Sequence, residues 1–270
     1  MESLRFNSAI RPAGSASKAE TAEALSLLRS EFISEEGSQN GGQDKPPPKD
    51  EFFNSEPSEE DLTLEEEASE GQRHQEELLE KHPIWPSPSA YEQLDRALAA
   101  LRHACLRPDI DYAFEALDTQ RPLASSCTNG VVFFSRSLLE NLSPNQILYF
   151  AAHEIAHTEL RHFATRARRL SDLRLFFTAP PGSTARLRME QAAVLTVQHQ
   201  EEFEADHQAA SWLDFELGQS SLTSLASLCR RLSPDSLNVP THPTFSARLD
   251  RLAQRLAPPD TLEYIYSLLG

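Results

Sequence analysis

Apolar residues recur at helical spacing along most of the last two thirds of this 270-residue chain, and hardly at all along its first third. Within 89–106, Leu94, Ala97, Leu98, Leu101 and Cys105 share one helical face, and Pro108 marks the stop. The period then changes. Asn129-Gly130 is a turn signal, and Val131-Val132-Phe133-Phe134 behind it is a β-branched and aromatic run that predicts a strand. Ser143 offers an N-cap, Pro144 a first helical position and Gln146 the partner of a capping box. A helix is therefore expected through Tyr149, His153 and His157 toward Arg168. Ala179-Pro180-Pro181-Gly182 interrupts it. A long helix over about 184–217 and shorter ones over about 220–232, 244–256 and 260–269 complete the pattern. The fold class is α+β, mainly helical with a small sheet.

The first third reads differently. Residues 1–83 are rich in Ser, Glu, Gly, Gln and Pro, with Pro46-Pro47-Pro48 and Glu65-Glu66-Glu67. Such a segment buries too little apolar area to offset its ordering entropy, so most of it is expected to be disordered. Helices are allowed over 18–33 and over Leu62–Leu79. The expected organisation is an acidic extension, 1–83, and a folded domain, 84–270, beginning near Ile84-Trp85. Of the net charge of −16, residues 31–80 carry −14, from 17 acidic side chains against Lys45, Lys49 and Arg73. The remainder is nearly neutral, which leaves no positive footprint for nucleic acid. Two readings of the acidic block stand: a solvated tail, or an intramolecular cover for a cleft.

Cys105, Cys127 and Cys229 are odd in number and widely spaced, which fits a reducing compartment. Met1–Ser8 lacks the apolar stretch of a secretory signal. Near the site the longest apolar run, Ile147–Ala152, is six residues, against about 20 for a membrane span. The expectation is no stable membrane insertion and a cytoplasmic location, with signal-independent export as the alternative.

The chemistry is concentrated in two segments, His153-Glu154-Ile155-Ala156-His157 and Glu202-Phe203-Glu204-Ala205-Asp206. Histidines at i and i+4 share a helix face and can hold one metal ion between them. Glu154 lies about 100° further round, beside the ion without having to bind it. A third ligand, Glu202, completes the three-ligand set common in zinc hydrolases, with one position open for water. Glu202 is favoured over Glu201 because Asp206, at i+4, can fix the tautomer of a liganding histidine. The expected site is one zinc ion on His153, His157 and Glu202, with Glu154 as general base and Asp206 behind the ligands.

The run from Asn129 through Glu140, then Leu142-Ser-Pro-Asn-Gln146, His153–His162, Glu202–Asp206 and Thr241-His-Pro-Thr-Phe-Ser-Ala-Arg248 resembles the HtpX and CAAX-prenyl-protease type of zinc metallopeptidase. The resemblance spans about residues 88–257, with the motifs in the same order. It implies a gluzincin endopeptidase fold, a small sheet above the HExxH helix, and a protein or peptide substrate. It also implies that Val131, Val132 and Phe133 form an edge strand to which substrate backbone adds; a plain core strand is the other reading. The best-known members carry transmembrane helices, and no such run is found here.

Further residues stay open. The resemblance places His242 near the cleft, as an oxyanion or metal contact, against a loop-anchoring role. Arg248 is a candidate substrate-binding residue, or a partner of Asp206 or Glu204. His162 is turned about 140° from the liganding face on ordinary helix geometry, which favours a supporting role. His199 and His207 are expected on the surface or in packing. Phe176-Phe177 is either a mobile lip or a packed aromatic pair. The function expected is a zinc endopeptidase; the alternative is a metal-stabilised peptide-binding module that does not cut.

Overall fold

The computed structural model describes residues 61–102, 105–216, 224–225 and 242–256. The helices expected at 18–33 and 260–269, and most of that at 220–232, lie outside the described residues. The chain divides into a larger unit, 56–171 with 195–270, and a smaller one, 1–55 with 172–194.

The larger unit is built around three short strands: β1 (Ala113–Leu117), β2 (Ala124–Ser126) and β3 (Val131–Ser135). Their order is β1-β3-β2, with β1 parallel and β2 antiparallel to β3. The strand expected as an edge at 131–134 is therefore central, and this corrects the substrate-binding role expected of Val131, Val132 and Phe133. The reason lies in its two faces. Val132 and Phe134 join the main core, while Phe133 packs on the opposite side with Leu78, Leu117 and Cys127. A strand covered on both faces reads as a continuous apolar run, and such a run says nothing about how many edges are paired. The outer side of β1 is met by the preceding segment, through an Ile84–Leu117 bridge and Trp85 N–H donating to the Ala116 carbonyl at 2.8 Å. Among the described residues, β2 is the strand with an unpaired side.

Helix α1 (Leu64–Lys81) covers the Phe133 face. A Thr63/Glu66 capping box starts it, and Glu65, Glu66 and Glu67 in its first turn complement the helix dipole. Its carboxylate Glu67 is buried and binds both Arg107 and Arg161, each at 3.0 Å. Asp61 accepts from Arg168 Nε at 2.9 Å. Ordered packing thus starts by residue 61, upstream of the boundary expected at 83/84. Composition misled because this helix is stabilised by tertiary contacts and not by an apolar stripe of its own.

Helix α2 (Pro88–Leu101) buries Ala90, Leu94, Ala97 and Leu101 in the main core. It ends earlier than Pro108 requires, because Leu106 and Arg107 donate their N–H groups to Glu159 Oε1 (2.9 and 3.3 Å) in place of helical carbonyls. Helix α3 (Arg136–Asn141) leads into α4 (Pro144–Glu159), whose Ser143/Gln146 capping box and Pro144 start are as the sequence predicts. Helix α4 does not run on to Arg168. Arg161 adopts φ 53°, and a new helix, α5 (His162–Arg174), sets off in another direction. Helix α6 (Thr184–Ser211) continues as a π-helical segment, Trp212–Glu216, and α7 (Phe245–Leu256) is the last element described.

The described part of the smaller unit is 172–194. Gly182 takes φ 77° in its turn, and Ser183 Oγ accepts from Arg186 N at 3.1 Å. The Arg186 guanidinium stacks 4.5 Å from the Phe177 ring centroid, while Phe176 is exposed.

Candidate metal centre

Helix α4 carries two imidazoles on one face, and α6 brings a carboxylate up to them. His153 Nε2 and His157 Nε2 stand 3.1 Å apart. Glu202 Oε2 is 3.3 Å from the first and Oε1 is 3.4 Å from the second. Ligand atoms 2.0–2.2 Å from one tetrahedral ion would stand roughly 3.3–3.6 Å from one another. These three residues form the metal-capable cluster found among the described residues.

Two observations fit a metal ion there. Glu202 Oε2 is buried and makes no hydrogen bond among the described residues; Arg248 Nη1 stands 3.5 Å away, and the oxygen keeps the capacity to meet a further cation. His153 lies between two carboxylates. Burial and the Arg248 charge both oppose an imidazolium, yet Asp206 and Glu202 override them and raise His153 to about 9. Burial likewise opposes the charge on Glu202, and the two imidazoles outweigh it, holding Glu202 well below the usual carboxylate range.

Each histidine has its own support. His153 Nδ1 is 3.0 Å from Asp206 Oδ1, which directs Nε2 toward Glu202. Asp206 also accepts from Tyr149 Oη at 2.8 Å and from Arg248 through Nε at 2.7 Å and Nη2 at 2.5 Å. Although burial works against the Asp206 charge, Arg248 and His153 depress its pKa far below the ordinary value. On the other side, His157 Nδ1 faces His162 Nδ1 at 2.9 Å. His162 Nε2 faces Glu204 Oε2 at 3.1 Å, and Arg169 Nη1 donates to that same oxygen at 2.9 Å. Burial pushes His162 down to about 3, so it is a neutral ring. Against burial, His162 and Arg169 hold Glu204 near 2.

The expected residues are therefore arranged as follows. His153, His157 and Glu202 converge, with Asp206 behind His153. Glu201, the rival to Glu202, is drawn away by Arg166 (2.6 Å). Arg248 is 5 % exposed and bound to Asp206, so its substrate-binding role is corrected to the pairing with Asp206 that was its other reading. His242 is half exposed, with Nε2 3.4 Å from Glu202 Oε1, at the rim of the centre. The break at Arg161 brings His162 onto His157, which an unbroken helix would not do.

Three participants escaped the sequence reading. Tyr149 lies one turn before His153, and the sequence marks it only as a residue of that helix. Glu204 reaches His157 only through His162, whose Nε2 faces its carboxylate. Ser126 donates its hydroxyl to Glu154 Oε2 at 3.0 Å, and nothing local to it suggested this.

Residues 88–256 match the model of peptidase family M48. No curated protein matches the chain. Among the described residues, no helix is long and apolar enough to cross a membrane.

Proposed function

The chain belongs to peptidase family M48, and from that premise we propose that it is a zinc-dependent endopeptidase cutting protein or peptide chains. The observation that carries this reading is the buried Glu202 carboxylate meeting two imidazoles, Oε2 toward His153 Nε2 and Oε1 toward His157 Nε2, with Glu154 on the helix that carries both histidines. Zinc held by His153, His157 and Glu202 would supply Lewis acidity and make a bound water easier to deprotonate. Glu154 is placed to take a proton from an attacking water and return it to the amine nitrogen as the water oxygen bonds to the carbonyl carbon and the C–N bond breaks. Asp206 and His162 each engage the Nδ1 of one imidazole, which turns both Nε2 atoms toward Glu202. His242, at the rim, stabilises charge developing on the scissile carbonyl oxygen.

Substrate backbone adds to β2, whose outer side is unpaired among the described residues and whose last residue, Ser126, touches Glu154. Backbone pairing there gives affinity without demanding one side-chain sequence.

The test is Glu154→Gln, assayed on a proteome-derived peptide library with products read by mass spectrometry. The variant should retain zinc and lose cleavage. Unchanged turnover would rule the mechanism out, and binding without products from the parent protein would favour a non-cutting module.

A further inference from the structure

We infer that Ser126 positions the catalytic base, and that helix α1 is the clamp that fixes the turn carrying Ser126. The inference rests on the reading of Glu154 as that base. Among the described residues, Ser126 Oγ provides the one hydrogen bond to the Glu154 carboxylate, at Oε2 and 3.0 Å. The bond engages Oε2 and leaves Oε1 for the proton the base must take. Ser126 closes β2, and the turn Cys127–Gly130 leads straight into β3, with Gly130 N–H donating to the Cys127 carbonyl at 2.9 Å.

That turn is gripped from outside the family-matched span. Thr128 Oγ1 donates to the Glu67 carbonyl at 2.5 Å, and Asn129 Nδ2 to Gln75 Oε1 at 2.8 Å. At Gly71 the helix lies directly on the turn: a Cβ there would meet Asn129 N at 2.3 Å. Leu78 packs with Cys127. Successive turns of α1 thus hold three consecutive residues, 127–129, next to Ser126. Arg107 and Arg161 anchor α1 in turn through the buried Glu67. Burial first, and then the nearby Glu154 charge, push the Cys127 thiol up to about 12. The helix and the base are close neighbours through this turn.

The experiment compares the zinc-loaded parent with Ser126→Ala, Ser126→Thr and Gly71→Ala on a peptide the parent cleaves. It measures kcat, KM and zinc content, and crystal structures supply the Glu154 side-chain conformation. Ser126→Ala should lower kcat roughly tenfold, as a loosened catalytic group does, with KM and zinc unchanged and Glu154 in more than one rotamer. Ser126→Thr should restore most of the rate and the single rotamer. Gly71→Ala should also depress kcat at unchanged KM; if it does not fold, Gln75→Ala, which removes only the bond to Asn129, takes its place with a smaller fall. Full kcat and an unmoved Glu154 in Ser126→Ala would overturn the positioning role. Unchanged kcat in the α1 variants would overturn the clamp. A parent that cleaves and a Glu154→Gln protein that does not, beside a fully active Ser126→Ala, would sink this inference alone. Normal turnover by Glu154→Gln would sink the peptidase mechanism and this inference with it.

Discussion

His157 and His162 point like nitrogens at one another, Nδ1 to Nδ1, at 2.9 Å. Only one of the two can carry the proton. His162 is buried and neutral and its other nitrogen faces Glu204, so its proton belongs on Nε2 and its Nδ1 accepts. The proton between the rings therefore sits on His157, whose Nε2 is left bare toward Glu202. A chain of polar groups from Arg169 through Glu204 and His162 sets the tautomer of a candidate metal ligand.

Breaking that chain should weaken the metal more than the fold. His162→Phe leaves His157 Nδ1 without an acceptor. Zinc affinity, read by chelator competition, should fall about 10–100-fold, the usual range for losing a ligand's outer partner. An unaltered affinity would show that His157 needs no such support.

The Asp206–Arg248 pair should behave as a stability element. Arg248→Met leaves a buried carboxylate without its cation, at a cost of about 3–5 kcal/mol in chemical denaturation. Arg248→Lys should recover only part, since it cannot reproduce the two-pronged contact. A substrate-binding arginine would instead change KM and leave stability alone.

Acid should destabilise the protein through His162 and Glu204 together. His162 takes up its proton near its ordinary 6.5 when unfolded, but only near 3 when folded. Between these values the unfolded chain binds more protons, so stability rises with pH across that window. Glu204, depressed from 4.5 to about 2, adds stability that is present above 4.5 and lost as pH falls toward 2. Denaturation midpoints from pH 7 to 4 should fall steadily, and His162→Phe should flatten the part between 6.5 and 4.5. Parallel curves would contradict the buried neutral ring.

Truncation tests how much α1 contributes. A chain beginning at Asp61 keeps α1 and serves as the reference. One beginning at Ile84 uncovers Phe133, removes the Leu78 contact and leaves Arg107 and Arg161 without Glu67. The loss should be at least about 3 kcal/mol, from apolar exposure and unpaired charge. Equal midpoints for the two would return α1 to the status of a tail.

The division between what could be read and what could not follows the range of the forces. The α4 start was legible because a capping box spans three residues. The ligand pair was legible because residues four apart on a helix must share a face. Glu202 emerged over Glu201 through its spacing to Asp206, again within one helix. The boundary at 83/84 was misplaced because α1 is held by Arg107, Arg161 and the 127–129 turn, all distant in sequence. The end of α4 was misplaced because it turns on one residue, Arg161, in a backbone conformation that its side chain does not announce.

The sequence by itself determined the family and pointed to the candidate ligand set with Glu154 beside it, since each rests on local helical geometry or on motif order. Tertiary structure decided which strand offers an unpaired edge among the described residues, which hydroxyl meets Glu154, and what His157 faces. Strand pairing, helix docking and side-chain networks join residues tens of positions apart, and only the folded backbone sets those distances. The apolar run at 131–134 fits a central strand as well as an edge; β1 and β2, by pairing on either side, settled which it is.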